Sequence, residues 1–547
     1  LSIHALRCKN INNCAFHFYL HFSSHALLHP FFPITVTHMT YITDLPAEIL
    51  EHIGLALTTS TSIVPLILVS RWAHHQFQHL VWRRITITAT TSTALIPTLK
   101  DHAHLVFSLR FQDAVPKEFY RIAFPRLVTF QLYNSDYYVK ARAMCFNLAD
   151  LFRLNPSIQD IIINAKHLPL NRYFWNAIRT SLHNLRRLYF AGSGDVGSTM
   201  FHRSNISGHL IFDIWRRLEE IEHAGGDRPW FNAAVEGSAR LKSFKYYGKR
   251  HFMRRAPGLW RGLRACPNLT TLHCSSIELD RELIAIGESN KPVWPHLEDL
   301  SLEEFGWNAD ETARLFFSHL GPLKHLRMTR GDLGPRSFDL LRERHFDSLR
   351  TFCVENNRNV TSEMMLGVLQ NCSQLEVFEA RRMPLLDLRA NPGPWTCLGL
   401  RRFRVILETD PADPEVDRMF FEQLSRLTNL EVFDISWPFL KSVAWEDPQQ
   451  PAPLLRLDRG LGQLSTLTQL RTVNVESTGQ ELSIEDVEWM LEYWPLLTRL
   501  SGQLSSDTDI EERLIGLLVD RRVVCDQVTH STEILYEYLS GLFCDSS

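Results

Sequence analysis

Apolar residues along most of this chain recur at offsets 0, 3 and 5 of a short phrase, L-x-x-L-x-L, with polar residues between them. The phrase opens fourteen times, at Leu127, Ile158, Leu185, Leu218, Leu241, Leu269, Leu297, Leu323, Leu349, Leu375, Leu400, Leu430, Leu470 and Leu497. The mean interval is about 28 residues, and the four intervals from Leu297 to Leu400 are 26, 26, 26 and 25. Offsets 3 and 5 alternate with polar positions, as in Leu188/Phe190, Phe244/Tyr246, Leu300/Leu302, Phe352/Val354, Phe403/Val405, Phe433/Ile435 and Val473/Val475. That period of two predicts a short strand with one buried face. Between phrases lie stretches at helical spacing, and helices are expected over 311–320, 361–369 and 485–493.

A strand and a helix repeated at this interval match the period of leucine-rich repeats. The expected fold is an α/β solenoid, a horseshoe with parallel short strands on the concave face and helices outside, over 119–505. One repeat cannot bury its own apolar face, so the repeats must stack and the ends must be capped. Residues 506–547, with two amphipathic stretches and no phrase, read as the C-terminal cap, and 89–118 as a linker or N-terminal cap. Longer intervals and Pro-rich insertions near Asp410 and Asp447 are read as loops thrown out of the solenoid. Specificity in such a fold resides on exposed strand positions at offsets 2, 4 and 6. The candidate target-binding residues there are Lys245, Tyr247, Arg327, Arg381 and Arg404; Arg and Tyr are types enriched at binding hot spots.

Before the repeats, residues 44–85 predict a small helical module. Asp44 stands before Leu45 as an N-cap, Pro46 falls in the first turn, and Ile49, Leu50, Ile53 and Leu57 follow at helical spacing. A module of about forty residues buries too little surface to stand alone and should dock on something. The segment 41–88 resembles the F-box, through Leu45-Pro46 with Glu48-Ile49-Leu50, then Ile53 and Leu57, Leu68-Val69-Ser70-Arg71-Trp72, and Leu80 to Ile85. With the repeats behind it, the layout is similar to that of F-box/leucine-rich-repeat substrate receptors of fungi and plants. The resemblance implies a subunit of an SCF-type ubiquitin ligase that does no chemistry itself. It implies a Skp-type adaptor held by Leu45, Pro46, Ile49, Leu50, Ile53 and Val69, a cullin beyond it, and a protein target on the concave face. Trp72 and Trp82 would then pack the module together, and the protein would work in the cytoplasm, the nucleus or both. The other reading of the same residues is an apolar cap on an interaction scaffold with no ligase role.

Composition narrows this further. With 58 Lys+Arg against 61 Asp+Glu and 45% hydrophobic residues, the chain has no field with which to gather nucleic acid or membrane, and neither is an expected partner. Residues 11–36 are fairly apolar but broken by His17, His21, His25 and His29, so 1–40 is read as a poorly ordered extension. Ten cysteines without CxxC spacing read as reduced, buried thiols. Gly192, Gly194 and Gly197 form a G-x-G-x-x-G, but no helix and acid-tipped strand follow, so a repeat loop is the reading. Nine Lys/Arg without an acid between Arg240 and Arg264 could hold phosphate; the alternative is a surface balanced by Glu219, Glu220 and Glu222 one repeat earlier. No catalytic residue set, cofactor or metal is expected.

Overall fold

The computed structural model describes residues 2–4, 19–21, 77, 79–113, 115–134, 141–165, 172–191, 213–224, 238–247, 262–275, 292–303, 310–331, 333–355, 357, 359–410, 412–436 and 452–526. Its frame is one parallel ladder of seventeen strands, from Arg84–Thr88 to Val524–Asp526. Each strand pairs with its neighbours in chain order, and among the described residues no pairing joins the first strand to the last. A separate antiparallel pair joins Ser2–His4 to Tyr19–His21. The architecture is the expected α/β solenoid of leucine-rich-repeat type. Three strands lie outside the span marked by the phrase: Arg84–Thr88, Ser108–Gln112 and Val524–Asp526.

The register lines up identical phrase positions from repeat to repeat. Leu272 pairs with Leu300, Leu300 with Leu326, and Leu326 with Phe352. These offset-3 side chains are buried and build a spine in which Phe352, Phe378, Phe403 and Phe433 stack at 6.0, 5.8 and 6.1 Å. The residue at offset 1 is a second join: the Thr270 carbonyl accepts from the N–H groups of Glu298 (2.9 Å) and Asp299 (3.0 Å), and Lys324 repeats the arrangement with Arg350 and Thr351.

The phrase has one more buried position than its leucines reveal. Three residues before each opening sits an anchor, among them Phe124, Trp215, Cys266, Trp294, Cys372, Cys397 and Trp494, each 2% exposed or less. Its carbonyl accepts from the opening residue's N–H, as in Leu127 to Phe124 (3.0 Å) and Leu400 to Cys397 (3.0 Å), closing a tight turn. Three of the cysteines are therefore repeat anchors, chosen for size and apolarity.

Helices Asp310–Ser318, Ser362–Asn371 and Ile484–Tyr493 fall where the spacing places them. Strands pack about 4.8 Å apart and helices about 9 Å apart, so the strand side is the inner, concave one. Offsets 2, 4 and 6 face that open side.

Candidate functional site

The open face is built by the strands, so its residues neighbour one another across repeats. Offset 4 reads Tyr189, Glu222, Lys245, His273, Ser301, Arg327, Cys353, Glu379, Arg404 and Asp434 in successive register. Charges one or two strands apart can meet, and most do. Arg404 lies between Glu355 (3.3 Å) and Asp434 (3.2 Å). Arg402 reaches Glu379 (3.5 Å), Arg382 pairs with Glu408, and Arg187 holds Asp160 at 2.8 Å.

The five candidate target-binding residues divide accordingly. Lys245 is half-buried, with Nζ 3.9 Å from Glu222. Arg404 is held by its two acids. Arg327 is exposed and makes no ion pair among the described residues. Arg381 is exposed at a bulge, where pairing skips from Ala380/Val405 to Arg382/Ile406. The bulge takes Arg381 out of the regular row that the phrase assigns to it. Tyr247 is 37% exposed, and its hydroxyl lies 3.3 Å from His273 Nδ1.

That contact continues: His273 Nε2 lies 3.0 Å from Asp299 Oδ2, so Tyr247, His273 and Asp299 form a chain across three strands. Burial would raise Asp299, but the His273 hydrogen bond and the charges of His273, His325 and Arg327 outweigh it and hold its pKa below the ordinary value. Burial and the charges of Glu222 and Asp299 push the Tyr247 phenol the other way, upward. The chain therefore positions a neutral phenol and does not make a phenolate nucleophile. The Cys353 thiol, donating to Glu379 at 3.2 Å, is likewise raised by burial and by that carboxylate.

Arg240, Lys242 and Lys245 of the basic run are balanced by acids one repeat earlier. Glu219 faces Lys242 (3.2 Å), Arg240 (3.6 Å) and Arg186 (3.9 Å). The Lys242 hydrogen bond is the main cause of its lowered pKa. The rest of the run, 248–261, and the G-x-G-x-x-G at 192–197 lie outside the described residues.

All six residues assigned to the adaptor, Leu45, Pro46, Ile49, Leu50, Ile53 and Val69, also lie outside the described residues, as does Trp72. The end of that segment is described. Phe77 and Leu80 are buried, and the Trp82 ring stacks on His102 at 4.3 Å. Among the described residues no helix is long and apolar enough to cross a membrane, and no group of His, Cys, Asp or Glu could hold a metal ion.

Neither a protein-family model nor a curated protein sequence matches the chain. Solved structures with a similar backbone include a leucine-rich-repeat protein of Leptospira interrogans, at 12% identity and TM-score 0.39, over 81% of this chain and 95% of that one. The mouse RP105/MD-1 complex matches at 13% identity and TM-score 0.35, over 81% of this chain and 78% of that one. The Rad7 and Elc1 complex of yeast matches at 12% and 0.31, over 85% and 94%. The fold assignment stands on the strand register above.

Proposed function

We propose that this chain is a substrate receptor: the 41–88 segment docks to a Skp-type adaptor of an SCF-type ubiquitin ligase, and the open strand face holds a protein target. The observation that carries the target half is the face itself, seventeen strands whose outward side chains are mostly polar, charged or aromatic above a closed apolar core. Such a surface suits recognition of another protein. The adaptor half rests on the sequence of residues 44–85. A receptor of this design needs no chemistry of its own, because tethering raises the effective concentration of the target near the ligase's ubiquitin carrier.

The test is co-purification of the full chain with a Skp adaptor, beside a Leu45→Ala/Pro46→Ala/Ile49→Asp variant. Stoichiometric binding lost in the variant supports the reading. A folded protein that does not bind would mean that Pro65 and the short Val69-to-Trp72 spacing have broken the adaptor-binding face. One observation favours a second reading, a scaffold without a ligase role: Trp82 packs against the solenoid core and stacks on His102, as a solenoid cap would.

A further inference from the structure

The open face is uneven. At offset 6 the successive register partners are Tyr133, Asn164, Ala191, Ala224 and Tyr247. Two adjacent alanines between longer side chains leave a recess two strands, roughly 10 Å, across. The alanines are its floor, and one end wall, two residues back along the same strands, is Tyr189 beside Glu222, which are also direct register partners. Burial and the Glu222 charge, in that order, raise the Tyr189 phenol, so the ring stays neutral next to the carboxylate. Glu222 is 34% exposed, and its nearest cation among the described residues is Lys245 at 3.9 Å, the outer limit of an ion pair.

Three kinds of side chain could enter. An acidic one would meet Glu222 and Glu220 and be repelled. An apolar one would take Glu222 from water with no close partner, which is costly. A cationic one gains the carboxylate and the ring faces together. The same face already makes this contact within the chain, where the Arg110 guanidinium lies over the Tyr133 ring at 4.1 Å. Two arginines of the face are already occupied, Arg187 by Asp160 and Arg404 by Glu355 and Asp434.

We infer that the recess floored by Ala191 and Ala224, flanked by Asn164 and Tyr247 and closed at one end by Tyr189 and Glu222, takes an arginine or lysine displayed by the target protein. This rests on the receptor reading and names the chemistry of the target segment. Lys245 is then the resident competitor for Glu222, and the incoming cation displaces it.

The probe is an array of twelve-residue peptides of random sequence, each made with arginine, citrulline or glutamate at its centre, and bound by the full chain. Citrulline keeps the shape of arginine without its charge. The arginine versions are expected to bind best. Glu222→Gln is expected to weaken them roughly tenfold or more, and Ala224→Leu, which fills the recess, to do the same. Lys245→Ala is expected to tighten them, a gain that a misfolded variant would not produce. Equal binding of citrulline peptides, or indifference to Ala224→Leu in a protein of unchanged unfolding midpoint, would overturn the inference. Adaptor co-purification on the same preparation separates the two failures. Adaptor bound without arginine preference removes this inference alone, whereas arginine preference without the adaptor removes the ligase role.

Discussion

Asp310 begins one helix and caps the next. It opens Asp310–Ser318, yet its carboxylate accepts from the backbone N–H groups of Gly334 (3.2 Å), Arg336 (2.7 Å) and Ser337 (2.9 Å), and from Ser337 Oγ (2.6 Å). These lie at the start of helix Pro335–Arg344, whose first-turn N–H groups have no partner within the helix and whose cap residue, Gly334, has no side chain to offer. Burial would raise the Asp310 pKa, but the bonds from Ser337, Arg336 and Gly334 outweigh it and hold the value below the ordinary one. Its contribution is therefore present above the unfolded value of about 3.9 and is lost as pH falls below that. Charged hydrogen bonds are worth about 1.5–3 kcal/mol each, but water can reach this half-open site. Asp310→Ala should therefore cost about 2 kcal/mol, the upper end for a helix cap. Gly334→Ala tests the same contact from the other side, since its new Cβ would stand 2.6 Å from Asp310 Cγ. It should cost about 1–2 kcal/mol alone and less in the Asp310→Ala background, where Cγ and Oδ2 are gone and only a 2.9 Å contact with Cβ remains. Repeat arrays open locally, so the assay is amide exchange over Pro335–Arg344 together with urea unfolding. Additive costs of the two substitutions, or unchanged exchange in Asp310→Ala, would refute the argument.

Two further predictions concern buried polar groups in the turns. His345 is 1% exposed, its Nδ1 accepts the Leu323 N–H at 3.2 Å, and burial, then the Arg344 charge, pulls its pKa down to about 4. The unfolded chain protonates near 6.5, so stability should fall by about 3 kcal/mol as pH drops from 6.5 to 4; a His345→Gln variant with the same urea-midpoint slope would contradict this. Asn155, fully buried, accepts the Phe124 N–H and donates to the carbonyls of Ile122 (3.2 Å) and Leu151 (2.7 Å). Asn155→Leu should cost about 3–4 kcal/mol in urea unfolding, and a loss below about 1 would mean that water takes over those bonds.

The solenoid was legible because strand alternation and repeat length are properties of local sequence. Val106, Leu109 and Phe111 satisfy the same phrase with valine in first place, and Trp82, Ile85 and Ile87 satisfy it with tryptophan, which is how a leucine-led search stops short of the first two strands. His223 breaks the rule at offset 5, yet it is buried and stacks on Tyr246 at 5.4 Å. The anchor three residues before each phrase is buried throughout, but its variety of Phe, Trp, Cys and Leu, with Asn155 and Ser238 in two repeats, hides it in the sequence. The state of the candidate anchors could not be read in the same way. Glu355 and Asp434, which occupy Arg404, lie 49 and 30 residues from it, and the bulge at Arg381 exists only in the pairing of two unusually long strands. The recess is likewise a matter of register, since Ala191 and Ala224 are 33 residues apart in sequence.

The charges obey a rule that the ladder imposes. At offset 1, on the exposed rim, the order is Arg186, Glu219, Lys242, then Glu298, Lys324, Arg350, Glu376, Arg401 and Glu431. Ion pairs join Lys324 to Glu298 (2.7 Å), Arg350 to Glu376 (3.3 Å) and Arg401 to Glu431 (3.8 Å). Each exposed pair contributes under about 1 kcal/mol, so the rim does not hold the solenoid together. What it does is limit repulsion, because the register sets equivalent positions about 4.8 Å apart: signs alternate except at Lys324 beside Arg350, and there each cation is paired with an acid on its outer side, Glu298 and Glu376. The same pressure neutralises the inner face from Glu355 to Asp434. A face balanced pair by pair casts little field beyond a Debye length, so long-range steering cannot supply its specificity. Recognition must then depend on contacts that are close and incompletely paired; among the described residues Arg327 is one such group, and Glu222 among its tyrosines is one set beside a recess. Target binding should accordingly weaken with salt as one ion pair does, and not as a polyelectrolyte surface does.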